Sequence, residues 1–295
     1  MPDIRLAVIA GPTATGKSET AVAVAKALDG EIINADSIQL YRHFDIGSAK
    51  PSREMRRAVP HHMVDALEPD AHFTLWDYKE AAREAIRDIA SRGKLPILCG
   101  GTGLYIKAAL EDLHGGAKQD EGLRHELLAT PREDLYARLQ TLDPRRAQQV
   151  HPNDTYRIIR GIENALLPVN DAPREKPPYD VAYFVLTAPR NIVHERIGRR
   201  VETMLNNGWI EEVRGILARG YPPECKPFKS VGYSQIVQCL NGELAEDALK
   251  ERITIATRQY AKRQFTWFGA VAGAVAVRAE SAEGTARIIK ERMAK

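Results

Sequence analysis

Gly11-Pro12-Thr13-Ala14-Thr15-Gly16-Lys17-Ser18 fits G-x-x-x-x-G-K-[ST], a glycine-rich turn whose backbone N–H groups wrap around phosphate oxygens. Its flanks suit such a loop. Ile4-Arg5-Leu6-Ala7-Val8-Ile9-Ala10 is an apolar run of strand length, and Ala21, Val22, Ala25 and Leu28 recur at helical spacing over Ser18 to Leu28. A strand feeding a glycine turn and then a helix start gathers free N–H groups and positive dipole at one spot. Lys17 adds a point charge for the outer phosphates, and the Ser18 hydroxyl can coordinate Mg²⁺. A plain surface turn would need neither flank. Taken alone, the loop suits a nucleotide such as ATP or GTP.

The chain has 295 residues, enough for one large α/β domain or a core with a modest second domain. Its 42 Lys and Arg against 39 Asp and Glu give a net charge of +3. Any basic footprint for a nucleic acid must therefore be local. Cys99, Cys225 and Cys239 show no C-x-x-C spacing, so neither a disulfide framework nor a zinc site is expected. No cationic, apolar leader opens the sequence, and no run approaches the roughly eighteen apolar residues of a membrane helix. The expectation is a soluble cytoplasmic protein, with nothing that demands a partner chain.

Outward from the loop, Glu31-Ile32-Ile33-Asn34-Ala35 reads as a second strand ending at Asp36-Ser37. Ligands of open parallel sheets bind at the strands' carboxyl ends, which places Asp36 beside the phosphate loop. Ile38 to Pro51 is irregular. Thr74 to Arg92 is a helix capped by Thr74 and ended by Gly93. Leu95 to Cys99 is a buried strand running into Gly100-Gly101-Thr102-Gly103 and a helix from Leu104 to Leu110. This rhythm argues for right-handed crossovers and a parallel sheet. From 115 to 178 no strand is expected. Gly122 to Ala129, Arg132 to Thr141, Pro144 to Val150 and Thr155 to Leu166 read as short helices, followed by a Pro-rich linker from Asn170 to Pro178. Strand character returns at Val181 to Leu186. Helices follow over Asn191 to Asn207, Ile210 to Arg219 and Glu246 to Trp267, then a strand over Ala274 to Arg278 and a terminal amphipathic helix. The fold class is α/β: a P-loop NTPase-like parallel sheet core over 1–114 and 179–295, with a small all-helical insertion over 115–178.

Asp36 is the candidate base, since a carboxylate at a strand end beside a phosphate loop can take a proton from a nucleophile or bind Mg²⁺. A loop hydrogen bond is its bland alternative. Thr102 can donate to the same nucleophile, or merely sit in a tight turn. Arg196 and Arg200 share a helical face and could neutralise a departing diphosphate; a solvated face is the default for such a cluster. Arg157 and Arg160 share another face. Arg258, Lys262 and Arg263, with Gln259, Gln264 and Trp267 between them, suit RNA, whose unstacked bases stack on aromatics or hydrogen-bond to amides. The alternative is that Tyr260, Phe265 and Trp267 are core. The histidines, including His61-His62, show no metal-ligand spacing and receive no role.

Several of these stretches occur together in one family. The phosphate loop, Asn34-Ala35-Asp36-Ser37, Asp45-Ile46-Gly47-Ser48-Ala49-Lys50-Pro51, Gly100-Gly101-Thr102-Gly103-Leu104-Tyr105, His151-Pro152-Asn153-Asp154, Val231-Gly232-Tyr233 and Lys262-Arg263-Gln264-Phe265-Thr266-Trp267 follow in this order. Together they closely resemble bacterial tRNA dimethylallyltransferases, the isopentenyl-tRNA transferases, over nearly the whole chain. The resemblance implies transfer of a five-carbon group from dimethylallyl diphosphate to N6 of adenosine 37, beside the anticodon. It implies that Gly11 to Ser18 hold the diphosphate, with Lys17 assisting catalysis and Ser18 on Mg²⁺, and that Asp36 is the general base. It further implies tRNA contacts at Asp36, Ser37, Ile38 and Gln39, at Thr102 and Arg124, and at Tyr156, Arg157, Ile158, Ile159 and Arg160. Lys229, Gly232, Tyr233, Lys262, Arg263, Gln264 and Trp267 complete that implied anticodon stem-loop surface. Ser48 stands where the family more often has Thr, and the segment after Arg160 lacks the usual T-G-K-like stretch, which implies a trimmed insertion.

The competing readings are a small-molecule P-loop kinase, a free-adenylate isopentenyltransferase and an RNA-binding NTP switch. A kinase would need a later apolar strand ending in Asp, which the core lacks, and would leave Lys262 to Trp267 without a task.

Overall fold

The computed structural model describes residues 3–111, 120–168 and 177–294. They fall into two compact units, one from Met1–Glu111 with Pro177–Lys295 and one from Asp112–Lys176. The first unit is built on β1 (Ile4–Ala10), β2 (Gly30–Asn34), β3 (His61–His62), β4 (Leu95–Gly100), β5 (Tyr179–Thr187) and β6 (Val275–Arg278). These form one sheet in the order β3-β2-β4-β1-β5-β6, and every pairing is parallel. A parallel sheet is covered on both faces, so its strands must be apolar on both. In β1, Leu6, Val8 and Ala10 join one core while Ala7 and Ile9 join the other, as the two-residue period of a strand requires.

Two helices cover the second face: α1 (Lys17–Leu28) and, at the far end of the chain, α13 (Ala282–Met293), which pack on each other. A short helix, α2 (Arg53–Ala58), precedes β3 and is capped by Ser52, which accepts from Met55 N at 3.2 Å. The first face carries α3 (Leu75–Ser91) and α4 (Gly103–Leu110). The cap of α3 is reciprocal: Asp77 N donates to Thr74 Oγ1 at 3.2 Å and Thr74 N donates to Asp77 Oδ2 at 2.8 Å. Tyr78, Ala82, Ile86 and Ile89 are its buried stripe.

The second unit contains α5 (Glu121–Ala129), α6 (Arg132–Leu142), α7 (Pro144–Gln149) and α8 (Thr155–Leu166), with no strand among its described residues. Leu127, Leu135, Leu139, Ala147, Val150, Ile158, Ile159 and Ile162 make its own core. Asp154 caps α8 by accepting from Arg157 N at 3.1 Å. The linker expected from Asn170 lies, up to residue 176, outside the described residues.

The rest of the first unit comprises α9 (Arg190–Asn206), α10 (Trp209–Ala218), a 3₁₀ turn over Lys226–Lys229, α11 (Tyr233–Leu240) and α12 (Glu246–Gly269), all on the first face. The three cysteines are unpaired.

Two elements escape the sequence reading. Between Ile38 and Leu75 the periodicity predicts neither α2 nor β3, because each is too short to show a period. The pair His61-His62, given no role above, is the edge strand itself. As neighbours on a strand they face opposite ways: His61 lines the cavity described below, whereas His62 Nε2 lies 2.7 Å from Glu31 Oε2. Glu31 is buried at 3% exposure and also receives Arg92, at 2.5 and 2.7 Å. The Arg92 hydrogen bonds, against the opposing cost of burial, hold its carboxyl at about 2. A carboxylate with a lowered folded pKa contributes stability above its ordinary value, and that stability fades as pH falls from about 4.5 toward about 2. Glu31→Gln should cost on the order of 2–3 kcal/mol at pH 7. In thermal melts its deficit against wild type should narrow across that acid window; a constant deficit would remove the ion pair from the account.

Candidate active site

Because β4 is inserted between β1 and β2, the loops after these three strands open side by side at the carboxyl edge, where the strand order reverses. All three line one cavity of about 1000 Å³ within the first unit.

The loop after β1 closes around its own backbone. Gly16 precedes α1 at φ +78°, a left-handed conformation that a side chain resists, and the start of the helix lines the cavity. Thr15 Oγ1 donates to Pro12 O at 2.8 Å, and Lys17 Nζ donates to the same carbonyl at 2.7 Å. Desolvation lowers the Lys17 pKa to about 8, with Arg200 pushing the same way and Cys99, Asp36 and Glu19 opposing. An ammonium at this cost of burial is primed for an anion. Ser18, in the first turn of α1, lines the cavity and offers a hydroxyl oxygen.

Asp36 stands one residue beyond Ala35 at the end of β2. Asn34 holds its backbone from both sides, accepting from Asp36 N and donating to Asp36 O, each at 3.0 Å. Asp36 Oδ1 accepts from Ile38 N at 2.9 Å, an Asx turn that aims the carboxylate. The second carboxylate oxygen carries no protein bond among the described residues. Thr102, at the cap of α4, accepts from Ser37 N at 3.1 Å through its hydroxyl, and its own N–H donates to Ala35 O at 3.1 Å. The Gly100 to Gly103 turn is thus stitched to the Asp36 loop. Tyr260, from α12, lies beside Thr102 and Gln264; burial, then the nearby Asp36 charge, raises its pKa.

The default reading of the α9 arginines does not hold. Arg196 and Arg200 both line the cavity, and desolvation lowers the Arg200 pKa while Glu19 and Asp36 pull it back. Arg196 Nη1 reaches Ala14 O at 3.5 Å. Only their neighbour Arg199 behaves as a solvated helix charge, 3.3 Å from Glu195. Along the far wall, Lys229 and Tyr233 line the same cavity. Tyr233 is itself buried, and its hydroxyl donates to Glu212 Oε1 at 2.6 Å. Glu212 Oε2 in turn accepts from Asp45 N at 2.9 Å and Ile46 N at 2.7 Å, pinning the Asp45 to Pro51 stretch. Gly47 and Gly232 both abut the Trp209 ring, so neither position has room for a Cβ.

The residues expected on tRNA divide by exposure. Ser37, Ile38 and Gln39 line the cavity beside Asp36, and Lys262, Arg263 and Trp267 are exposed on α12. In the helical unit, Tyr156 and Arg157 are exposed. Ile158 and Ile159, however, are core residues at 0% and 1% exposure, so their side chains cannot be an RNA surface. Arg124 and Arg160 bind buried Glu163, at 2.9 and 2.5 Å, and the Arg124 guanidinium lies 5.6 Å from the Tyr156 ring. Gln264 is buried as well. Asn34, Arg200's depth, Glu212, Trp209 and Tyr260 had no legible role in the sequence. Asn34 alone carried a signal, as an amide two residues before the candidate base.

A glycine-rich strand-to-helix loop, the cations Lys17 and Arg200 and the held Asp36 carboxylate around one cavity belong to a P-loop-like α/β fold. The IPP transferase family model matches residues 39–270, and the isopentenyl transferase model matches 4–63. The chain is 45% identical over 275 residues to tRNA dimethylallyltransferase 1 of Trichlorobacter lovleyi, covering 90% of each, and 44% identical over 270 residues to the tRNA dimethylallyltransferase of an Exiguobacterium species, covering 88% and 86%. The solved tRNA isopentenylpyrophosphate transferase of Bacillus halodurans superposes with a TM-score of 0.76 at 34% identity, over 99% of this chain and 96% of that one. A eukaryotic dimethylallyltransferase acting on tRNA superposes with a TM-score of 0.80 at 25% identity, over 98% and 77%. This chain belongs to the IPP transferase family.

The lowered Lys17 pKa predicts the sign with which binding of an anion beside it would vary with pH. Above about 8 its amine is neutral in the free protein, and binding must then take up a proton. In calorimetry with inorganic diphosphate, the affinity ratio of wild type to Lys17→Met should fall as pH rises from 7 to 9.5, since the probe's own ionisation cancels. A flat ratio would mean that Lys17 does not meet the anion as an ammonium.

Proposed function

We propose that this protein transfers the dimethylallyl group of dimethylallyl diphosphate to N6 of adenosine 37 in tRNA, releasing diphosphate. The observation that carries this reading is the single cavity shared by the Lys17–Arg200 cation pair and the Asp36 carboxylate. Family membership supports it over the kinase and free-adenylate alternatives.

In this reading, the N–H groups at the start of α1, with Lys17, Arg196 and Arg200, hold the diphosphate. As the allylic C–O bond breaks, its electron pair leaves on the diphosphate, whose growing charge these donors stabilise. The N6 nitrogen forms the new C–N bond and loses a proton, which the free Asp36 oxygen accepts. An adenine amine is barely basic, so an aimed carboxylate is useful. Thr102, locked to Ser37 N through its oxygen, stands beside the incoming base. A stacked adenine cannot enter such a cavity and must be extruded from the anticodon loop. Lys229, Lys262, Arg263 and Trp267, and on the helical unit Tyr156 and Arg157, present the cations and aromatic faces that RNA takes.

Ser18 fits Mg²⁺ as a hydroxyl ligand. Among the described residues no group of three or more His, Cys, Asp or Glu could hold a metal, and an ion bound largely through substrate phosphates and water needs none. When bound there, Mg²⁺ would supply further charge neutralisation to the leaving diphosphate. No described helix is long and apolar enough to cross a membrane. We place the reaction in the cytoplasm and read the protein as a monomer.

The test incubates the protein with unmodified tRNA, Mg²⁺ and either labelled dimethylallyl diphosphate or labelled ATP. Label should pass to tRNA from the prenyl donor; passage from ATP alone would overturn the reading. Asp36→Ala should lower turnover by about 10²–10⁴-fold while tRNA binding stays within a few fold. Turnover near wild type would acquit Asp36 as the base.

A further inference from the structure

Gln264 sits on α12 at 5% exposure, in a segment otherwise studded with exposed cations, and both ends of its amide are engaged by backbone. Its Oε1 accepts from Thr13 N, in the phosphate loop, at 2.8 Å. Its Nε2 donates to Gly101 O, in the turn after β4, at 2.8 Å. One partner is a donor and the other an acceptor, which fixes the orientation of the amide. Gly101 is shaped for this approach, since a Cβ there would fall 2.5 Å from Nε2. From Gly101 the connection continues through its neighbour Thr102, whose N–H and hydroxyl hold Ala35 O and Ser37 N on either side of Asp36.

We propose that Gln264 is a positioning residue for the transfer, setting the separation between the loop that holds the leaving diphosphate and the turn that anchors the Asp36 base. This rests on the function proposed above and replaces the RNA contact that the family resemblance implied for Gln264. The amide has no atom to spare for a base: one end is bound to each loop, and the side chain is enclosed. Its role is specific to an amide. Glutamate keeps the acceptor for Thr13 N but turns a carboxylate oxygen toward the Gly101 carbonyl, whereas a protonated glutamic acid would accept from one and donate to the other as glutamine does.

The experiment compares wild type, Gln264→Glu and Gln264→Met in the tRNA and dimethylallyl diphosphate assay across pH, with thermal melts of each. Misplacement by an ångström costs about 10²-fold, so kcat of both variants at neutral pH should fall on that order while KM for tRNA and for donor stay within about threefold. As pH is lowered, the kcat ratio of Gln264→Glu to wild type should climb, and that of Gln264→Met should not. A kcat within twofold of wild type, a loss carried by KM for tRNA, or a pH-independent Gln264→Glu ratio would each overturn the proposal. Should Gln264→Glu not fold, the kcat against KM split of Gln264→Met decides alone. Failure of the underlying function would show in the wild type, as absence of prenyl transfer, whatever stands at residue 264.

Discussion

Everything in the site follows from β4 lying between β1 and β2. The three strands run parallel, so their loops emerge at one edge with only a strand spacing between neighbours. Phosphate loop, Asp36 and Gly-Gly-Thr-Gly turn are remote in sequence yet meet through backbone groups: Ala35 N donates to Cys99 O at 2.7 Å and Thr102 N returns to Ala35 O. No side-chain chemistry is needed to bring them together. Side chains then refine a distance the sheet has already made short.

Charge is arranged on that frame with unusual cost. Lys17 and Arg200 are both partly desolvated, and Arg200 further opposes the charged state of Lys17, while Asp36 and Glu19 relieve part of the penalty. A cavity lined by two partly desolvated cations favours a polyanion over a neutral ligand, because the anion offsets the solvation they have lost.

Legibility in the sequence tracked the length and locality of each signal. The phosphate loop, the Thr74 cap and the strand-to-Asp36 junction are local patterns, and they stand where the spacing put them. The helix and strand of 53 to 62 were invisible because six and two residues cannot display a period. Arg196 and Arg200 had the spacing of a shared face, but a face is solvated or sunken according to what packs on it, and here α12 packs on α9. Ile158 and Ile159 show the reverse limit: neighbours in a motif need not share an environment, since consecutive residues on a helix differ by about 100°, and the Thr155–Leu166 stripe turns both into the core of their unit.

Helix α12 shows how one segment can serve two solvents. Ala261, Gln264 and Phe268 recur at three and four residues and are buried, so they form its inward stripe. Lys262, Arg263 and Trp267 fall between them and stay exposed. A stripe of that kind ordinarily carries an apolar residue at each position. The polar exception, Gln264, lies where the helix meets two loop backbones rather than a strand, and an apolar side chain there would strand Thr13 N and Gly101 O without partners in a closed space. The cationic face and the buried amide are thus consequences of one helix geometry: the turn that leaves Lys262 and Arg263 exposed brings Gln264 against the two loops.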